Sequence, residues 1–131
     1  MNESTLQAEL LKALRAGLPG AVIFKHTDKL TWGIPDLSVN WMGLTTWLEL
    51  KYANPHFKAT GMQSRVVRQL ASAGSCWYVI YRAEKHGGYT TLIVDPREME
   101  KGEACSATEH SDGLNHMRVV RFIKERHLAG R

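Results

Sequence analysis

Cysteine is scarce in this sequence. Its 131 residues hold two, Cys76 and Cys105, with no metal-type spacing between them. Cys76 lies in an apolar segment and reads as a small core residue. Long hydrophobic runs are also missing, and none approaches the roughly 20 residues a membrane span needs. The opening "MNESTLQAEL" has acids and no basic region leading into an apolar stretch, so no secretory leader is expected. Internal repeats and low-complexity tracts are absent. Acids are missing from one long stretch: none falls between Glu49 and Glu84, where Lys51, Lys58, Arg65, Arg68 and Arg82 lie. Together these features predict one soluble, cytoplasmic domain.

What is present fits a folded chain. The apolar fraction is 44% and the formal net charge +4, which suits a polyanionic partner without requiring one. A second basic group, Arg118, Arg121, Lys124, Arg126 and Arg131, falls near the C-terminus.

The patterning predicts α-β-β-β-α-β-β-α. "STLQAELLKALRAG" carries Leu6, Leu10 and Leu14 at helical spacing, with Ser4 and Gln7 as a capping box. "AVIFKHT" is strand-like and "DKLTWGIP" a loop. "DLSVNW" and "LTTWLELK" form a hairpin about Met42-Gly43. "TGMQSRVVRQLASAG" is a helix. "CWYVIYR" is a continuous apolar strand of the type buried on both faces, and "YTTLIVD" is another strand. Residues 96–113 are polar and weakly patterned. "LNHMRVVRFIKERHLAG" is a basic amphipathic helix with Asp112 as its cap. This order predicts a mixed sheet flanked by helices, with a core over about 5–96 and an extension over about 97–131.

The hairpin's apolar faces decide its register. Leu37, Val39 and Trp41 are odd, whereas Leu44, Leu48 and Leu50 are even. Opposed residues share a face, so odd opposes even and Asp36 falls opposite Glu49, with Cβ atoms about 4.5–5.5 Å apart. Two carboxylates that close repel unless something positive intervenes. Lys51, two residues along on the same face, is one candidate. A divalent cation is the other, and the Leu50 carbonyl could complete a Mg²⁺ site that keeps several waters. Against this stands a solvated strand face with one surface ion pair, worth at most about 1 kcal/mol. Gln63 falls on the apolar side of its helix, where it either caps with Thr60 or serves the site. Glu9 borders the leucine stripe of the first helix.

"GIPDLSV" followed by "WLELK" resembles the PD-(D/E)xK nuclease superfamily, and within it the compact stand-alone VRR-NUC domains of phage and bacterial proteins. Gln63, Leu70 and Gly74 match that family's Q-x(6)-L-x(3)-G helix, and the resemblance spans roughly residues 5 to 82. The Val-Arg-Arg signature is replaced by Ile80-Tyr81-Arg82, keeping Arg82 alone. The resemblance implies a restriction-endonuclease-like α/β core and a metal-dependent phosphodiesterase. Asp36 and Glu49 would hold Mg²⁺ (or Mn²⁺) with the Leu50 carbonyl, and Glu9 would contribute directly or through water. Lys51 would position or help deprotonate the attacking water, or stabilise the transition state. Gln63 would orient Lys51 or a phosphate. Lys58, Arg65, Arg68, Arg82 and the C-terminal helix would contact DNA phosphates. By analogy with stand-alone members, the substrate would be a Holliday junction, cut by a homodimer carrying two sites in a bacterial cell or phage-infected host.

Other readings remain open on the sequence. One is a nuclease of the same fold acting on flaps, nicks or duplex. Another is a DNA-binding module that does not cleave, and a third is a basic scaffold protein in which the motif is coincidence. The six histidines form no motif, which excludes an HNH-type nuclease. His26, at the end of a strand, is the one that could approach the carboxylates.

Overall fold

A computed structural model describes residues 2–27, 33–53, 65–99 and 109–129. The elements run α1 (Glu3–Gly17), β1 (Val22–Lys25), β2 (Leu37–Trp41), β3 (Leu44–Ala53), α2 (Arg65–Ser72), β4 (Cys76–Ala83), β5 (Tyr89–Val94), α3 (Pro96–Met99), β6 (Glu109–Asp112) and α4 (His116–Ala129). The strands form one six-stranded sheet in sequential order. β3 and β4 are parallel, and every other neighbouring pair is antiparallel. Parallel neighbours need a crossover connection, and α2 lies within it. The architecture is α/β, a mixed sheet with helices on both faces. Among the described residues no helix is long and apolar enough to cross a membrane.

Side-chain alternation sorts the core into two halves. On one face Leu37 and Val39 of β2 and Leu48 and Leu50 of β3 meet Leu6, Leu10 and Leu14 of α1 and Val119, Val120 and Ile123 of α4. On the other, Cys76, Tyr78 and Ile80 of β4 and Leu92 and Val94 of β5 meet Val67 and Ala71 of α2. β4 serves both halves along its length, with Tyr78, Val79, Ile80 and Tyr81 each completely buried, as its unbroken apolar run requires, and β5 likewise sends Ile93 to one half and Leu92 and Val94 to the other. Each such large side chain contributes about 1.5–3 kcal/mol by leaving water.

The hairpin has the register that parity predicts, with Leu37 opposite Leu48 and Trp41 opposite Leu44. Met42 and Gly43 both take positive φ (49° and 84°), the hand of turn that matches strand twist. The structure differs from the sequence reading in three places. Asn2, not Ser4, caps α1, its side chain accepting from the Thr5 N–H at 2.9 Å. Asn115, not Asp112, caps α4, accepting from the Arg118 N–H at 3.0 Å. In each case the helix starts one cap-competent residue away from the one chosen, which pattern alone does not separate. Lastly, residues 96–113 hold α3 and β6. β6 ("EHSD") is polar because it forms by backbone pairing with β5 rather than by burying an apolar face. Of the helix expected over residues 60–74, residues 60–64 lie outside the described residues.

The α1–α4 contact is tight at Gly17. A Cβ added there would lie 2.5 Å from Cγ1 of the buried Val120. Gly17→Ala should therefore lower stability by about 1–3 kcal/mol, although alanine is the better helix former. In urea unfolding, Val120→Ala should offset part of that loss, making the double variant more stable than the summed single effects. Strict additivity would rule the clash out.

Candidate active site

β3 outruns its neighbour. The β2 register ends at Leu37 opposite Leu48, while β3 continues to Ala53. Beyond Leu48, the even-numbered N–H groups of β3 face a gap where β2 has turned away. Strand-edge donors left without a ladder partner need others, and two carboxylates supply them. The Leu50 N–H donates to Asp36 Oδ2 at 2.8 Å, and the Tyr52 N–H donates to Glu3 Oε1 at 3.1 Å. In an antiparallel ladder a residue's N–H and C=O point to the same side, so the Leu50 carbonyl faces the same gap. Glu3, Ser4, Gln7, Asp36 and Leu50 line a cleft of about 170 Å³ there.

Asp36 is held from its own backbone as well. Its carbonyl accepts from the His26 N–H at 2.8 Å, which extends the β1–β2 pairing by one rung. Pro35 immediately before it is buried and fixes the chain's entry. Glu49 is the next residue after Leu48 and meets Asp36 side chain to side chain. Its neighbour across β4 is the buried Tyr78.

The electrostatics of the pair follow from this placement. Burial first, then the hydrogen bond to Asp36 and that residue's charge, push Glu49 up from 4.5 to about 8; Lys51 pulls the other way. The metal-free pair therefore shares a proton at neutral pH. Burial, and then the Glu49 charge, push the Cys76 thiol up to about 12, which makes it an inert core residue as the sequence suggested.

Of the residues singled out from the sequence, Asp36, Glu49 and the Leu50 backbone come together, with Lys51 two residues along on the Glu49 side of β3. Glu9 does not line the cleft. Its carboxylate takes a hydrogen bond from His116 Nε2 at 2.9 Å, and His116 Nδ1 in turn meets the hydroxyl of buried Tyr81 at 2.8 Å. The acid that α1 presents to the gap is Glu3, which first-turn position alone would explain as dipole compensation. Glu3 and Gln7 are four apart and so share a helix face, the only signal in the sequence that pairs them.

His26, the histidine expected to approach the carboxylates, does lie beside Asp36. Its Nε2 lies 2.7 Å from Ser38 Oγ, and its ring stacks on Trp47 at 5.0 Å and 28°. Once β1 is in register with β2, its position beside Asp36 follows.

The basic residues divide. Arg65 and Arg68 are exposed on α2. Arg82 pairs with Glu84 at 3.2 Å. On α4, Arg118 is held by Glu109 and Glu125. Arg126 donates to the Gly74 carbonyl at 2.9 Å and lies 4.8 Å over the Trp77 ring. Two of the five C-terminal cations, Arg118 and Arg126, thus serve contacts within the fold. Gln63 and Lys58 lie outside the described residues.

Among the described residues no three His, Cys, Asp or Glu side chains form a metal-holding group by themselves. A hard cation that keeps several waters needs fewer. Two carboxylates short of positive charge, beside a strand carbonyl aimed into a polar cleft, fit such an ion. In comparison with known proteins, the sequence matches no protein-family model and no curated protein.

The raised Glu49 predicts a pH dependence. The folded protein keeps a proton that the unfolded chain releases between 4.5 and about 8. The stability this provides is complete below the lower value and lost as pH rises through the higher. In EDTA, Tm should fall across that window, and Glu49→Gln should flatten the fall. An unchanged slope in the variant would count against the shared proton.

Proposed function

We propose that this chain is a Mg²⁺-dependent, structure-selective DNA endonuclease that cuts branched DNA such as four-way junctions as a homodimer. The observation that carries the reading is the junction of Asp36, Glu49 and the Leu50 backbone at the β2–β3 fork, with Lys51 on the same strand. Support also comes from the element order. α1, a three-strand meander, α2 and a strand parallel to the last of the three is the arrangement expected of a restriction-endonuclease-like core. The choice of a four-way junction and of two symmetric sites rests on the sequence resemblance.

Each residue then has a part. Asp36, Glu49 and the Leu50 carbonyl would hold the cation, with Glu3 replacing Glu9 as the acid from α1. When bound, Mg²⁺ would polarise a phosphoryl oxygen and lower the pKa of a coordinated water. Glu49 must give up its proton for the pair to carry full charge, so cation affinity should rise with pH. Lys51 reaches the same face with a mobile ammonium that can orient the water or meet charge on the phosphoryl oxygens. Arg65 and Arg68 provide exposed cations on the Glu49 side of the sheet. Such contacts hold the phosphate backbone without reading sequence.

The test compares a synthetic four-way junction, a flap and a linear duplex, with and without Mg²⁺. Asp36→Asn, Glu49→Gln and Lys51→Ala should each slow junction cleavage by about 100-fold or more. Glu3→Gln should also slow it, while Glu9→Gln should stay near wild type. Equal cutting by wild type and Lys51→Ala would overturn the active-site assignment. Efficient cutting of the linear duplex would overturn the junction preference alone.

A further inference from the structure

The α2 side of the sheet is unevenly covered. α2 packs over β4 and β5, whereas no described helix or strand lies over β1. There Val22 and Phe24 are 54% and 55% exposed. Both oppose face-sharing partners on β2, Asn40 and Ser38, so they lie on the face that carries Asp36 and Glu49. Phe24 begins a line of rings. It lies 6.4 Å from His26 at a 45° tilt, and His26 stacks on Trp47. The line ends beside the carboxylate pair, because His26 bonds the Asp36 backbone.

Resting on the nuclease reading, we infer that Phe24 is a stacking platform for an unpaired nucleobase next to the phosphate being cut. A ligand for this surface needs a flat apolar face and an anionic part. The flat face meets Phe24. The phosphates of neighbouring nucleotides along the same strand would meet Lys51 and, farther across the sheet, the charged side chains of α2, which are both basic (Arg65 and Arg68). A nucleotide in a strand has both parts. Phe24 is two residues from His26, about 6–7 Å by strand rise, which is on the scale of a single nucleotide step. Inside a duplex both faces of a base are covered by its neighbours. Only a base at a flap, fork or opened junction can offer one to a side chain. A second copy pairing along β1 fits less well, since exposed Lys25 lies on that edge and lysine is a usual guard against strand addition.

The experiment measures binding alone, in EDTA, so that it stands apart from cleavage. Fluorescein-labelled oligothymidine and a closed hairpin duplex are titrated by anisotropy with wild type, Phe24→Ala and Phe24→Trp. Phe24→Ala should weaken single-strand binding roughly 5- to 150-fold, the usual strength of one base–aromatic stack, and leave duplex binding within about twofold. Phe24→Trp should restore binding, with its indole fluorescence quenched on contact. An oligothymidine with abasic positions should bind wild type as weakly as it binds Phe24→Ala. Unchanged single-strand binding in Phe24→Ala, or equal loss on both probes, overturns the inference. So does a wild-type dimer by sedimentation that Phe24→Ala converts to monomer without changing binding. If Phe24→Ala loses single-strand binding while wild type cuts no DNA with Mg²⁺, stacking stands and the nuclease reading falls. If wild type cuts and Phe24→Ala binds normally, the reverse holds.

Discussion

The Leu50 N–H bond to Asp36 is the contact on which the candidate site depends. It exists because β3 is longer than β2, which leaves strand-edge donors with no ladder partner. An unmet buried donor costs about 1–3 kcal/mol, so the fork must be closed by side chains. Asp36 closes it from β2 and Glu3 from α1, which ties three elements together at one point. That account explains one acceptor per donor. Glu49 also accepts from the Asp36 backbone N–H, but that bond does not require a charge, and the charge lies against Asp36 at an electrostatic cost. A neutral Gln would keep the strand and remove the repulsion. The extra carboxylate is the part of the arrangement that stability does not require, and it is why the fork reads as a site rather than as a repaired edge.

The structural polar contacts and the carboxylate pair lie mainly on opposite faces of the sheet. The face under α1 and α4 is saturated with leucine, valine and isoleucine. Its polar groups also serve structure. Tyr81, His116 and Glu9 form a chain from the core to the surface. Arg126 locks the end of α4 to Gly74 and Trp77. The α2 face carries the carboxylate pair, Lys51 and His26. β4 is packed on both sides and belongs to both halves, and it is the strand against which Glu49 rests.

How much of this was legible depends on which interaction decided each feature. The hairpin register was readable because Leu37 and Val39 on one strand and Leu48 and Leu50 on the other must share a face, and a slip of one residue would expose all four. β4 was readable from its unbroken apolar run. The site role of Glu9 came from the family resemblance, which gives the helix but not which of its turns abuts the sheet. That depends on how α1 docks, a long-range property. β6 escaped because its pairing needs only a neighbour with free backbone groups. Arg118 and Arg126 read as surface charge because their partners, Glu109 and Gly74, are distant from them in the fold's sequence order or lie on other elements.

The charge pattern around the fork makes a further demand. The chain is net positive, and the described charged residues of α2 are cationic, so on the nuclease reading a phosphate would be drawn toward this face. At the fork itself it meets two carboxylates and one lysine. At about 4 Å and an effective dielectric near 20, each like-charge pair costs about 4 kcal/mol. Two such repulsions exceed the single attraction from Lys51, so a phosphate cannot settle against the ionised pair alone. A divalent cation reverses that balance, since it neutralises both carboxylates and attracts the phosphate. Ionising Glu49 is itself unfavourable without the cation. The cation, the loss of the Glu49 proton and the close approach of phosphate are therefore mutually dependent. On the nuclease reading the fork would favour them together and disfavour each alone, so a phosphate would not settle at the carboxylates before a cation is in place.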